Sequence, residues 1–170
     1  VLARAEKVAA QEVGVKGGRI VAVGPADTIH GKPIIDEGDA VLMPGLINAH
    51  THLELSWMRG RVPPAAKFTD WVKALFAIRG RPDGQMSAEK TAAIEDAIYE
   101  AQQCGTVAVG DISNSMMSAK AIQQSGLLGV VFHELLGFKE RDGALLAKTH
   151  ELRASSGGTH VAVSLAPHAP

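Results

Sequence analysis

Cysteine is nearly absent: Cys104 is the only one in 170 residues. No internal disulfide can form, and the chain suits a reducing compartment, with the cytoplasm as the expected location. Late in a helical pattern, Cys104 reads as a small buried residue rather than a nucleophile. An excess of one charge is lacking as well. Seventeen Lys and Arg against eighteen Asp and Glu leave a net charge of -1, which offers no basic surface to nucleic acid or an anionic membrane. No apolar run approaches the roughly 20 residues needed to span a bilayer, and no charged-then-apolar leader is visible. No G-x-G-x-x-G follows a strand-like run, so a Rossmann phosphate loop is excluded. Internal repeats and low-complexity tracts are missing too. What remains is 46% hydrophobic and 21% charged, the composition of an ordinary globular protein. The chain opens at Val1 without a Met and stops at Ala166-Pro167-His168-Ala169-Pro170, directly after a strand-like run. Natural C-termini are more often solvated and frayed, so the sequence reads as a fragment.

The first 40 residues read as β. Gln11 to Lys16 and Arg19 to Gly24 flank Gly17-Gly18, a two-residue hairpin signal. Pro25, Gly31 and Pro33 punctuate a loop leading to Ile34-Ile35 and to the apolar segment Ala40 to Met43. Helices and strands then alternate. Phe68 to Arg79 carries Trp71, Leu75 and Ile78 at helical spacing, and Ser87 to Cys104 keeps the same period until Gly105 stops it. Thr106 to Ile112 reads as a strand, Ser115 to Ser125 as a helix and Leu128 to Leu136 as a strand. Lys139 to Ser155 follows as a helix and His160 to Ala166 as the last strand. Trp71 and Phe76 are expected in the core.

Val-, Leu- and Ala-rich strands separated by helices imply parallel pairing through βαβ crossovers. Either an open doubly wound sheet or a (β/α)8 barrel satisfies that pattern. Polar residues cluster at the strand ends: His50, His52 and Glu54; Asp111 and Asn114; His133 and Glu134; His168. Polar groups at the C-terminal mouth of successive strands are what a barrel active site needs. The four strands would make about half of a barrel whose full length is about 250 residues.

The run Pro44-Gly45-Leu46-Ile47-Asn48-Ala49-His50-Thr51-His52-Leu53-Glu54 is the most specific feature. If the apolar segment before Pro44 is a strand, His50 and His52 fall on one side of its extension, because side chains alternate with period two. Two imidazoles on one face form a bidentate platform for a borderline metal such as Zn²⁺ or Fe²⁺. Two ligands do not complete a site.

The run PGLINAHTHLELS, preceded by the hairpin GVKGGRIVAVG, resembles the amidohydrolase superfamily. Within it, the chain is similar to the branch of cytosine, guanine, S-adenosylhomocysteine and aminofutalosine deaminases and triazine chlorohydrolases. Trp57-Met58-Arg59-Gly60, Gly105-Thr106-Val107-Ala108 and Ala166-Pro167-His168-Ala169-Pro170 strengthen the likeness, which covers essentially the whole chain. It implies the N-terminal part of a (β/α)8 TIM barrel, about four βα units over residues 44–170, preceded at 1–43 by the hairpin part of a composite β-sandwich. It implies His50 and His52 as metal ligands, with the third ligand and the acid/base Glu and Asp beyond Pro170. The metal would lower the pKa of a bound water, and the carboxylates would carry its proton to the leaving amine. His168 would contact substrate. His160 to Pro170 holds no Lys to bridge two metals, which favours one divalent ion, zinc first and iron as the alternative.

Glu54 lies two residues past His52, placed to orient a histidine, to meet a cationic or hydrogen-bond-donating part of the substrate, or to stand as a solvated loop residue. Of the adjacent His133 and Glu134 only one can face the barrel interior, and Glu134 is the preferred candidate for substrate contact. Asp111 is read as a turn or cap residue and Arg59 as half of a surface salt bridge. The expected function is hydrolytic deamination of a purine-like or other N-heterocyclic small molecule by the full-length enzyme. Cyclic amide hydrolysis or dechlorination on the same scaffold is the alternative. Alone, the chain would be an inactive half-barrel whose apolar edges lead it to self-associate or to require its missing half.

Overall fold

The computed structural model describes residues 11–25, 33–80, 87–135 and 158–168, together with positions 147, 150, 151, 154 and 155. The chain divides into two compact units, 1–42 and 43–170.

In the first unit, strands β1 (Gln11–Lys16) and β2 (Arg19–Pro25) pair antiparallel, with Lys16 opposite Arg19. The two residues between them, Gly17 and Gly18, have φ of 58° and 72°. Both central positions of a type I′ turn require positive φ, which is why Gly-Gly closes this hairpin. The expected β character of Ile34-Ile35 and of Ala40 to Met43 is corrected. Residues 33–45 carry no strand, and Ile34, Ile35, Val41 and Leu42 are each at least 75% exposed. β-propensity alone does not make a strand; a ladder partner is needed, and these residues have none among the described ones.

In the second unit the strand that bears the histidines begins after Pro44-Gly45, as β3 (Leu46–Thr51). A short 3₁₀ helix (Leu53–Met58), α1 (Phe68–Arg79) and α2 (Ala88–Gln103) lead to β4 (Thr106–Ser113). Ser87 caps α2, its side chain accepting from the Lys90 amide. α3 (Met117–Ser125) connects β4 to β5 (Leu128–Leu135), and β6 (Val161–Pro167) follows. The expected helix over Lys139 to Ser155, and Leu136, lie largely outside the described residues.

The four strands form one parallel sheet in the order β3-β4-β5-β6. Spatial order follows chain order without reversal. A doubly wound sheet needs a reversal point, so this sheet is consistent with part of a barrel instead. Helices α2 and α3 cover one face: Ile94, Ile98, Ala119 and Ile122 pack on Val109, Val131 and Val161. Fully burying an Ile or Val contributes about 1.5–3 kcal/mol each, so this layer dominates the unit's stability. On β4, Val109, Asp111 and Ser113 are all buried at alternate positions, which makes them members of one face. Val131 and His133 pair with Asp111 and Ser113 and share it. Glu134 and its pairing partner Ala166 therefore belong to the opposite face.

Candidate metal and substrate site

His50 is the penultimate residue of β3, and His52 precedes the 3₁₀ helix with φ -132° and ψ 67°. Both are exposed, and their rings meet edge to face with centroids 5.1 Å apart. Period two thus puts the pair on one side of β3 itself, not on the continuation of an earlier strand. Thr51 lies between them and turns the other way. Its hydroxyl donates to Asp111 Oδ1 at 2.9 Å, and the Leu53 amide donates to the same oxygen at 2.8 Å. Ser118, in the first turn of α3, donates to Asp111 Oδ2. Burial pushes the Asp111 carboxyl up from its ordinary value; the bonds from Leu53, Ser118 and Thr51 oppose that shift without cancelling it.

Glu54 is also buried, and its carboxylate is saturated. Oε1 accepts from Arg79 Nη2 at 2.8 Å and from the Asn114 amide at 3.1 Å. Oε2 accepts from Ser113 Oγ at 2.7 Å, from the Ser115 amide at 3.0 Å and from Ser115 Oγ. Burial alone would raise the Glu54 carboxyl. The hydrogen bonds from Ser115, Ser113 and the two amides overcome it and hold the group below the usual carboxylate range. Neither oxygen bonds a histidine.

Asn114 extends the lattice along the strand ends. Its Oδ1 accepts from Arg79 Nη2, and its Nδ2 donates to the Glu134 carbonyl at 2.8 Å and to Glu134 Oε2 at 3.2 Å. Glu134 Oε1 lies 3.9 Å from His168 Nε2, an ion pair whenever that imidazole is protonated. Side chains from the 3₁₀ helix after β3, the end of α1 and the C-terminal ends of β4, β5 and β6 are thus linked in one polar row. His133 is buried beside Ser113 and Val131 on the helix-covered face, whereas Glu134 is half-buried on the other.

Nothing in the sequence marks Arg79, Ser113, Ser115 or Ser118 as members of a site. Arg79 ends an amphipathic helix, where a cation is the ordinary partner of the helix dipole, and small serines carry no distinctive pattern. Arg59 does form a surface salt bridge, with Glu100 at 2.6 Å. Two expectations are corrected. Cys104 caps α2 and is exposed, because the helix ends there and turns outward. Phe76 is 48% and Trp71 36% exposed, and α1 buries no residue among the described ones. Trp71 instead stacks on Phe68, with centroids 5.9 Å apart.

No group of three or more His, Cys, Asp or Glu able to hold a metal occurs among the described residues. The donor set nevertheless fits part of such a site. Two imidazoles at one strand end are the nitrogen donors that zinc takes, and both residues are exposed.

Fold and polar strand ends together define a class: α/β proteins built on sequentially ordered parallel strands, with their chemistry-bearing side chains at the C-terminal strand ends. Comparison with known proteins narrows it. No family model matches the chain. It is 32% identical over 135 residues to an adenosine deaminase of Helicobacter pylori, a match covering 78% of this chain and 32% of that protein. The structure of an adenosine deaminase from Xanthomonas campestris with bound zinc superposes with a TM-score of 0.70 at 27% identity, covering 92% of this chain and 37% of the other. The aminofutalosine deaminase of Helicobacter pylori in complex with methylthio-coformycin gives a TM-score of 0.63 at 30% identity, covering 75% and 30%. The chain's relatives and structural neighbours include deaminases of the amidohydrolase superfamily, in the branch its motifs resemble. The matches to the curated relatives cover between 12% and 38% of those proteins' length. No helix among the described residues is long and apolar enough to cross a membrane.

Proposed function

We propose that this chain supplies the first part of a metal-dependent hydrolase barrel, whose full-length protein releases ammonia from a purine-like or other N-heterocyclic small molecule. The observation that carries this reading is the pair of exposed imidazoles at the C-terminal end of β3, the strand that opens a parallel sheet. The deaminase relatives and the zinc-bound neighbour support it.

His50 and His52 would hold one divalent ion, zinc in preference to iron. Bound there, the ion would supply the Lewis acidity that makes water nucleophilic at neutral pH. The remaining ligands and the acid/base carboxylates are assigned to the rest of the full-length protein, in keeping with the greater length of the relatives. β3 and β6 stand at the two edges of the sheet, where further barrel strands would pair. On this reading Glu134 and His168 meet the heterocycle. Asn114 fixes the Glu134 carboxylate through its Nδ2. Glu54, with both oxygens occupied, serves substrate from behind, by holding Arg79 and Asn114 in place.

Ammonia release by the purified full-length protein across a panel of purines, their nucleosides and pyrimidines tests the proposal. Release from at least one purine-like member, lost on chelation and restored by zinc, is the expected result. Chloride or a ring-opened amide in place of ammonia would transfer the chain to the alternative hydrolyses on this scaffold.

A further inference from the structure

Asp111 is fully buried, yet it touches neither histidine and lies on the helix-covered face of the sheet. A buried carboxylate is costly unless its lone pairs are used, and this one spends them on the residues flanking His52. One oxygen grips the Thr51 hydroxyl and the Leu53 amide together. The other is held by Ser118 on α3, which packs into the main core through Ala119 and Ile122. The backbone leaves the β3 ladder at this point and turns into the 3₁₀ helix, where the Leu55 amide donates to the His52 carbonyl at 2.9 Å.

We propose that Asp111 is the positioning residue of the His50–His52 pair, a strap that ties the turn on both sides of His52 to the core and so sets the edge-to-face geometry of the two rings. The inference rests on the metal-ligand reading of that pair and adds to it the group that pre-organises the site. Pre-organisation matters because ligand-supporting groups are typically worth about 10- to 100-fold in metal affinity.

The experiment compares Asp111→Ala, Asp111→Asn and Val161→Ala in the full-length protein by two readouts. These are zinc affinity by competition with a chelator, and hydrogen–deuterium exchange of the peptide over residues 50–58 in the metal-free protein. Asparagine keeps an oxygen for Thr51 and Leu53 and offers an N–H that the Ser118 hydroxyl can accept, so it should rescue. Asp111→Ala should weaken zinc binding roughly tenfold or more and speed exchange in that peptide, while Asp111→Asn stays close to the parent in both. Val161→Ala, a core substitution on β6, two strands away from Asp111, should lower stability while leaving both readouts unchanged. A folded Asp111→Ala protein with parental exchange at 50–58 would overturn the inference. Should Asp111→Ala fail to fold, Thr51→Val removes one arm of the strap and must raise exchange there, or the inference falls. His50→Ala and His52→Ala separate the two layers. If neither weakens zinc binding, the ligand reading fails, while the exchange data still decide whether Asp111 holds the turn.

Discussion

Arg79 Nη2 donates to Glu54 Oε1 across 2.8 Å, with the two side chains only 10% and 5% exposed. The pair joins the last residue of α1 to the turn that follows the histidines, and it differs from the exposed pairs of Arg59 and Lys73. Exposed pairs contribute about 0–1 kcal/mol, whereas removing one member of a buried pair costs about 3–5 kcal/mol. The two members are not equivalent. Arg79→Met leaves the Glu54 carboxylate with its serine and amide donors. Glu54→Gln removes the charge that balances the guanidinium and, whichever way its amide is turned, aims an N–H₂ at a backbone amide that can only donate, that of Asn114 or of Ser115. Urea denaturation should therefore find Glu54→Gln the more damaging of the two; equal losses would contradict this account of the lattice.

The two buried carboxylates predict opposite pH dependences. Glu54 has a folded pKa below its ordinary 4.5. Its contribution to stability is full above that value and is lost as pH falls through the lowered folded pKa. Asp111 has a folded pKa above its ordinary 3.8. Here the native state binds the proton more tightly than the unfolded chain does. The contribution is full below 3.8 and declines as pH rises toward the folded value. Relative to Asp111→Asn, the parent protein should thus lose stability as pH rises above 3.8. Relative to Glu54→Gln, it should lose stability as pH falls below 4.5. Denaturation series at several pH values read both slopes, and slopes of the same sign would refute the assignment.

Much of this architecture was legible because its elements are local. The Gly17-Gly18 hairpin follows from backbone freedom at two positions, and α1 from an apolar period that runs Trp71, Leu75, Ile78. The same period misleads about burial. It identifies a helix, but only the surrounding fold decides whether its apolar stripe is covered, and Trp71 and Phe76 remain substantially exposed. Residues 40–43 mislead for a related reason: Val41, Leu42 and Met43 have strand propensity without a ladder partner among the described residues, and the strand starts beyond Pro44. At the strand ends, alternation separates Glu134 from His133 correctly, since period two is a property of the backbone. The Glu54 lattice was illegible. Its donors come from Arg79, Ser113, Asn114 and Ser115, between 25 and 61 positions away, and no local pattern encodes contacts at that range.

Under the proposed ligand role, His50→Ala and His52→Ala each strip the metal from the full-length protein while sparing the fold. Both side chains are exposed, and substitutions at such positions usually change stability by no more than about 0.5 kcal/mol. Metal content by atomic spectroscopy should drop for each variant of the full-length protein, and ammonia release should fall by roughly 100-fold or more, on the scale of losing a metal's Lewis acidity. Unchanged metal content in both variants would remove the pair from the coordination sphere.

Gly110 carries the last prediction, because it sets how closely β3 approaches β4 beside His50. A Cβ built on Gly110 would stand 2.5 Å from the Ala49 carbonyl oxygen and 3.0 Å from its carbon. Those are backbone atoms of β3, which cannot rotate away, so Gly110→Ala must push the strand and with it the neighbouring His50. Overpacking of this kind costs about 1–3 kcal/mol. Gly158 is the instructive contrast. A Cβ there would meet Gln123 Oε1 at 2.3 Å, but that is the end of a side chain, which can swing aside at the expense of its bonds to Thr159 and His160. Denaturation midpoints should rank Gly110→Ala well below Gly158→Ala. Gly110→Ala alone should also weaken zinc binding, since only that substitution moves the strand bearing His50, the proposed ligand. If Gly158→Ala proves the more costly or weakens zinc equally, the close approach of β3 to β4 is not what holds His50 in place.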